Sequence, residues 1–178
     1  MTDVATGAAN PPEGPSEPGA TERLTLRLID APRAERIVAR APAAEDDWAE
    51  GYPTGGDVEA SGSFLREHRR GNDPAEFGVY EIVENATGTV VGGIGFHHAP
   101  DDSGTVEVGY GLVASRWNRG YATEALIAMI ALAKVNHARR VQGRALADNA
   151  ASRRVMEKAG MVFDVVVGGY ARYVVELP

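Results

Sequence analysis

The run Arg116-Trp117-Asn118-Arg119-Gly120-Tyr121-Ala122-Thr123-Glu124-Ala125-Leu126 decides how this 178-residue chain is read. A strand-like run, residues 106–113, precedes it, and an apolar helical run, residues 122–133, follows. A strand, a glycine turn flanked by arginines and a helix beginning with small residues together make an anion site. The first N–H groups of a helix lack intrahelical acceptors, and the helix dipole adds positive potential there. Gly120 permits close approach of the backbone to a ligand, and Ala122 keeps the first turn uncrowded. A phosphate-bearing cofactor suits such a turn. Two common phosphate loops are excluded: no Gly-Lys-Ser/Thr follows, and one glycine is too few for the dinucleotide fingerprint. Gly92-Gly93-Ile94-Gly95 lies within a strand pattern and opens no helix, so it is not a dinucleotide loop either.

Working outward, local patterns give the order βααβββαβαββ. Alternation over residues 24–29 predicts strand β1. Asp30 predicts an N-cap, with Pro32 in the first turn of helix α1, which reaches about residue 40. Residues 41–56 hold Pro42, Pro53 and the acidic run Glu45-Asp46-Asp47 and read mostly as loop. Asp57 is expected to cap helix α2, which runs to about residue 70. Residues 77–84 (β2), 90–96 (β3) and 105–113 (β4) read as successive strands, with turns at residues 85–88 and 100–104. Helix α3 covers residues 122–137. Its apolar positions Ala125, Leu126, Met129, Ile130 and Ala133, with Ile127 and Leu132 beside them, predict packing against a sheet with little exposure. Residues 141–147 (β5), 150–159 (α4), 162–167 (β6) and 170–177 (β7) follow, with Gly160 just past α4 and a closing hairpin around Gly168-Gly169. The class is α+β, with one β-α-β crossover.

The length suits one domain with a full core. Residues 1–20, rich in Pro, Gly, Ala and Glu and without hydrophobic periodicity, are expected to form a disordered tail ahead of a domain over residues 21–178. A formal charge of -7 argues against nucleic acid, which demands basic surface, and is compatible with cationic acceptors. Cysteine is absent, which removes disulfides, Cys-ligated metals and an acyl-cysteine intermediate. The four histidines show no metal-ligand spacing, so no metal is expected. No signal-peptide pattern opens the chain, and the apolar run over residues 125–133 is too short to span a bilayer, so neither a membrane partner nor export is expected and the cytoplasm is the default.

The Gly120 turn resembles the acyl-CoA-binding signature of the GNAT superfamily of N-acetyltransferases, in which a Gln/Arg-x-x-Gly-x-Gly/Ala turn wraps the CoA pyrophosphate. Gly120-x-Ala122 fits, with Trp117 where Gln or Arg is usual. A second stretch, Asn149-Ala-Ala-Ser152-Arg-Arg-Val-Met156-Glu-Lys-Ala-Gly160-Met161, is similar to the Asn-x-x-Ser/Ala…Gly-Phe element that closes the family's core, with Met161 for the common Phe. Trp117 and Ser152 together with Gly-Tyr-Ala-Thr-Glu-Ala most resemble the branch that acetylates N-termini of ribosomal proteins. The resemblance covers roughly residues 24–177. It implies a GNAT-like, mixed, mostly antiparallel seven-stranded sheet flanked by about four helices and splayed between β4 and β5. It also implies an acetyl-CoA-dependent transferase, monomeric or homodimeric, that acts on a primary amine by direct attack in a ternary complex. Amides of Asn118, Arg119, Gly120, Tyr121, Ala122 and Thr123 would hold the pyrophosphate, with Arg116 and Arg119 bracketing them. The pantetheine arm would pair with β4 near Leu112 and Val113, where Gly109 and Gly111 mark a bulge or close approach. Asn149 would hydrogen-bond the arm or cap α4.

The chemistry requires a base, an oxyanion donor and help for the leaving thiolate. An α-amine with a pKa near ~7.7–8 needs only weak base help, a lysine near ~10.4 more. Glu107 on β4 is the first candidate base, because burial in an apolar strand would raise its pKa. His97 and His98 are alternatives; adjacent strand residues face opposite ways, so at most one points into a cleft. The oxyanion would meet a backbone N–H near Val113. Many relatives carry a Tyr seven residues after the α4 Asn, where this chain has Met156; Ser152 is the candidate acid or sulfur hydrogen-bond donor, or else a plain helix-start serine. Two other readings stand beside the enzyme: a CoA-binding regulatory module without turnover, and a nucleotide phosphate-binding protein. The acceptor site is expected between the α1–α2 loop, the β3–β4 turn and the β6–β7 hairpin, with a protein N-terminus, a small amine and an antibiotic all open.

Overall fold

Alternation in Leu24–Leu28 (β1) buries Leu24 and Leu26 and turns Thr25 and Arg27 to solvent. The computed structural model describes residues 19–178, so the expected tail lies outside the described residues except for Gly19 and Ala20; Ala20 forms a bridge with Thr25. Asp30 caps Ala31–Ala39 (α1), its carboxylate accepting from the Arg33 N–H at 2.8 Å. The cap of Gly55–Arg69 (α2) is Thr54, not Asp57. Asp57 is the N3 partner of a capping box: its carboxylate accepts from the Thr54 N–H at 2.7 Å while its own N–H donates to the Thr54 hydroxyl. A short 3-10 turn over Ala75–Phe77 delays β2, which spans Val79–Glu84. The remaining elements are Val90–Phe96 (β3), Thr105–Leu112 (β4), Tyr121–Val135 (α3), Arg140–Leu146 (β5), Ala150–Lys158 (α4), Val162–Val167 (β6) and Tyr170–Glu176 (β7).

The strands form one seven-stranded sheet in the order β1-β2-β3-β4-β5-β7-β6. Every pairing is antiparallel except β4 with β5, which α3 joins by a crossover and whose ladder ends at Val108↔Gly143. Beyond that pair the two strands part, as the resemblance implies. Successive side chains alternate across the sheet, so Glu107, Gly109 and Gly111 face α2 while Val106, Val108 and Tyr110 face α4. The glycines matter on the α2 face: a Cβ on Gly93 would lie 2.2 Å from an Asp57 carboxylate oxygen. Helix α3 buries Ala125, Leu126, Met129, Leu132 and Ala133, but Ile127 and Val135 are exposed, correcting the expectation of little exposure. Among the described residues no helix is long and apolar enough to cross a membrane.

The α1–α2 loop is pinned to the sheet. Trp48 bridges Val90, and the Ala49 N–H donates to the Val90 carbonyl at 3.0 Å. Beneath it the buried Glu81 carboxylate accepts from Arg27, Arg33 and the Tyr52 hydroxyl, and Arg33 also pairs with Asp46. Paired in this way, the buried charges help fix the loop through Tyr52 against the sheet.

Candidate functional site

Between β4 and α3 the chain makes a 3-10 turn over Ala114–Arg116 and then places Asn118 and Gly120 in the left-handed region, at φ 60° and 81°. The first bond inside α3 is Glu124 N–H to the Gly120 carbonyl at 3.0 Å. Among the described residues, no N–H from Asn118 to Thr123 donates to a protein acceptor. A left-handed residue beside a right-handed one, as Gly120 stands beside Tyr121, turns neighbouring amides into one concavity, and the helix start adds its dipole. The turn is held from outside. Glu84 of β2 accepts from the Tyr121 hydroxyl at 2.6 Å and from Arg116 at 3.3 Å, so one buried carboxylate ties both ends. The Tyr121 hydroxyl, foremost, holds the Glu84 carboxyl below its ordinary range. Arg23 lies over the Tyr121 ring, donates to the Arg119 carbonyl at 3.0 Å and pairs with Glu124.

This modifies the expected roles. Arg116 is paired with Glu84 rather than free for an anion, and the Tyr121 side chain turns to β2, leaving its N–H for a ligand. Arg119 is exposed and has no ion-pair partner among the described residues. Arg23 and Glu84 escaped the sequence reading because nothing local links them to residue 120.

The open edge of β4 follows from register. The Val113 N–H donates to the Val91 carbonyl at 2.9 Å, and the His97 N–H to the Glu107 carbonyl at 2.8 Å. In an antiparallel ladder the bonding direction alternates, so residues 107, 109, 111 and 113 bond toward β3, and Tyr110 and Leu112 present their amides to the gap beside β5. Val113 has no backbone group left over, since its carbonyl accepts from Arg116 N–H at 3.0 Å. The amides left free on this edge are therefore those of Tyr110 and Leu112, and Val113, expected beside Leu112 to meet the pantetheine arm and the oxyanion, has none to offer. The Leu112 carbonyl already accepts from the Trp117 indole at 2.9 Å, which gives the non-consensus tryptophan a local role.

Across the gap, Asn149 caps α4, its side-chain oxygen accepting from the Ser152 N–H at 3.0 Å; its NH2 makes no bond among the described residues. The Ser152 hydroxyl likewise has no partner there, while its carbonyl accepts from the Tyr110 hydroxyl at 3.1 Å. Tyr110, absent from the sequence-based candidates, thus fastens β4 to the start of α4, and burial pushes its phenol up to about 12. Met156 is buried against Gly143, where a Cβ would meet its sulfur at 2.9 Å; it faces the core, away from the gap.

Glu107 departs furthest from expectation. Its carboxylate accepts from Arg144 at 2.6 and 2.8 Å and from Gln142 at 2.8 Å, and lies 3.3 Å from His97 Nδ1. These partners, His97 first, outweigh burial and hold the carboxyl at about 2, not above its ordinary value. Burial raises a carboxyl only where nothing replaces the lost water. Of the two histidines, His97 faces Glu107, whereas His98 turns away to the Ala99 carbonyl at 2.7 Å.

Above this end of β4 lies a cleft of about 480 Å³, lined by Glu50, Gly51 and Thr54 on one side and by Leu112 to Ser115 and Trp117 on the other. It joins the α1–α2 loop to the stretch that leads into the Gly120 turn; of the three parts expected to build an acceptor site only the α1–α2 loop lines it, and neither the β3–β4 turn nor the β6–β7 hairpin does.

Residues 23–162 match the family model for the acetyltransferase (GNAT) domain. The chain is 29% identical over 162 residues to the uncharacterized N-acetyltransferase YjdG of Bacillus subtilis, a match that covers 86% of this chain and 95% of that one. The ribosomal-protein-S5-alanine acetyltransferase from Vibrio fischeri has the same fold, with a TM-score of 0.61 at 15% identity over 88% of this chain and 94% of that one. So does RimL, a ribosomal L7/L12 α-N-protein acetyltransferase in complex with coenzyme A, at a TM-score of 0.62 and 18% identity over 88% and 96% of the two chains.

Proposed function

Because the chain belongs to the GNAT acetyltransferase family, we propose that it moves an acetyl group from acetyl-CoA to a primary amine by direct attack in a ternary complex. The observation that carries this reading is the row of unbonded amides from Asn118 to Thr123, set beyond the open edge of β4. The amides of Asn118, Arg119, Gly120, Tyr121, Ala122 and Thr123 hold the pyrophosphate, and Arg119 adds charge. The pantetheine arm runs along Tyr110 and Leu112, with the Asn149 NH2 group opposite. As the amine attacks, negative charge grows on the thioester oxygen, and an N–H already aimed into the gap from β4 stabilises it without reorganising. Ser152, with a free hydroxyl at the first turn of α4, hydrogen-bonds the departing sulfur. Glu107 belongs to the group that handles the amine's proton. Protein N-terminal amines head the choice of acceptor, because two proteins of the same fold are named for ribosomal proteins.

Calorimetry with acetyl-CoA, desulfo-CoA and ATP tests the cofactor, and release of free CoA thiol in the presence of an amine panel tests turnover. The chain has no cysteine, so thiol detection carries no protein background. The expected result is binding of both CoA compounds and thiol release with amines bearing a free α-amino group. Binding of ATP alone would overturn the cofactor assignment. Acetyl-CoA binding without thiol release from any amine would leave a CoA-responsive binding module.

A further inference from the structure

We propose that His97, seated over Gly109 and held by Glu107, is the group that takes the proton from the acceptor amine, and that Glu107 is a positioning residue. This rests on the acetyltransferase reading and gives one of its steps to a particular atom, His97 Nε2.

The backbone brings the two together. The His97 N–H donates to the Glu107 carbonyl at 2.8 Å, extending the β3–β4 ladder one pair past Phe96↔Val108. Directly opposite residues in an antiparallel ladder send their side chains to the same face. The His97 Nδ1 then lies 3.3 Å from Glu107 Oε1. That carboxylate also accepts from Arg144 on Oε1 and from Gln142 on Oε2, so both of its oxygens are engaged by donors. A carboxylate held by charged and neutral donors keeps its charge and is a poor base, but a good orienter of imidazole.

The other ring nitrogen is the free one. A Cβ on Gly109 would lie 2.7 Å from His97 Nε2, so the ring occupies space that only glycine leaves open. Nε2 has no hydrogen-bond partner among the described residues, and the side chain is 55% exposed. A Nδ1–H directed at Glu107 leaves the lone pair on Nε2, aimed away from the carboxylate. Gly109 is the first β4 residue beyond the last β5 pair, Val108↔Gly143, so this lone pair stands at the mouth of the gap. The charged or titratable groups around this end of the strands are Glu107 and Arg144, with His98 and Asp101 toward the β3–β4 turn and Asp57 of α2 over Gly93 on the same face.

The step balances without a further reactant. As the amine nitrogen bonds to the thioester carbonyl carbon, the carbonyl π pair moves to oxygen and the amine's proton passes to Nε2. Collapse re-forms the carbonyl and breaks the C–S bond, with the electron pair leaving on sulfur. The imidazolium proton returns through solvent to the thiolate, yielding amide and free CoA.

Two measurements decide the matter in the full chain. The first is 15N NMR of the imidazole of His97, assigned by His97→Gln. The neutral ring should be the Nδ1–H tautomer, and Glu107→Gln should shift it toward the Nε2–H form; a Nε2–H tautomer in the wild type, or a tautomer balance unmoved by Glu107→Gln, overturns the positioning role. The second is kinetics with acetyl-CoA and a short peptide bearing a free α-amine. His97→Gln should reduce kcat/KM for the peptide on the order of 10²-fold and flatten its rise toward alkaline pH, with acetyl-CoA affinity unchanged. Glu107→Gln should cost roughly tenfold, the double variant no more than His97→Gln alone, and added imidazole should partly restore His97→Ala. A His97→Gln enzyme within twofold of wild type, with Glu107→Gln down a hundredfold, would falsify the proposal and return the base to Glu107. A wild type that neither binds acetyl-CoA nor releases thiol removes the parent reading instead, and this step with it.

Discussion

The Gly120 turn and the Glu107 cluster are built on opposite plans. The turn offers backbone amides between Asn118 and Thr123, and its side chains either point elsewhere, as Tyr121 does to Glu84, or stand in solvent, as Arg119 does. The cluster is made of side chains from three neighbouring stretches: His97 just past β3, Glu107 from β4, and Gln142 and Arg144 from β5. A backbone site depends on conformation and therefore on one or two glycines; a side-chain site depends on register and therefore on every partner. The first should fail abruptly when its turn is distorted, the second by degrees as its donors are removed.

The sharpest way to break this contrast is Gly120→Val. At φ 81° a β-branched residue is strained whatever space surrounds it. CoA affinity should fall at least ~100-fold, about 2.7 kcal/mol, while circular dichroism stays that of a folded chain. Unchanged CoA affinity would show that the amides of this turn are not the phosphate site.

A smaller effect is expected at Ser152→Ala. The Asn149 cap needs only the Ser152 N–H, and Tyr110 needs only its carbonyl, so the substitution leaves both bonds in place. The expected outcome is a fall in kcat of about tenfold with little change in amine KM, as suits loss of a bond made mainly to the leaving sulfur. A kcat equal to wild type would reduce Ser152 to a helix-start residue.

The smallest effect concerns acid stability. Glu107 has its carboxyl held at about 2 against an ordinary 4.5. A depressed folded-state value means that the unfolded chain binds more protons between those limits. The stabilisation is therefore complete above about pH 4.5 and is lost as pH falls toward 2. Glu107→Gln should lower Tm by roughly 2–4 °C at neutral pH, and the gap should close on acidification. A Tm difference that does not change with pH would mean that packing, rather than charge, accounts for it.

The contrast also explains what could be read beforehand. The Gly120 turn and the Asn149–Ser152 helix start were legible because their geometry is set by residues within a few positions of one another. Strand and helix order were legible for the same reason, with ends shifted by a residue or two. The cap of α2 was misassigned between Thr54 and Asp57 because a capping box uses both residues reciprocally, and either sequence position looks like the start. Glu107 was legible as a carboxylate in an apolar strand, but the direction of its shift was not, because Gln142 and Arg144 lie on another strand. The resemblance implied that Val113 would meet the ligand, yet ladder parity commits its amide to Val91.

What the sequence by itself determined is therefore local: the elements, the left-handed glycine that opens α3, the motif spacing that marks the family, and the absence of cysteine chemistry. Only the tertiary structure decided which groups are free and which are engaged. Glu84 reaches from β2 to neutralise Arg116 and tether Tyr121, Trp117 closes the Leu112 carbonyl, and Gly109 makes room for His97 beside Glu107. The physical reason is that a helix start is defined by consecutive φ/ψ values, which neighbouring residues set. A carboxylate's charge state and an amide's direction are instead set by partners that strand register brings from a distance.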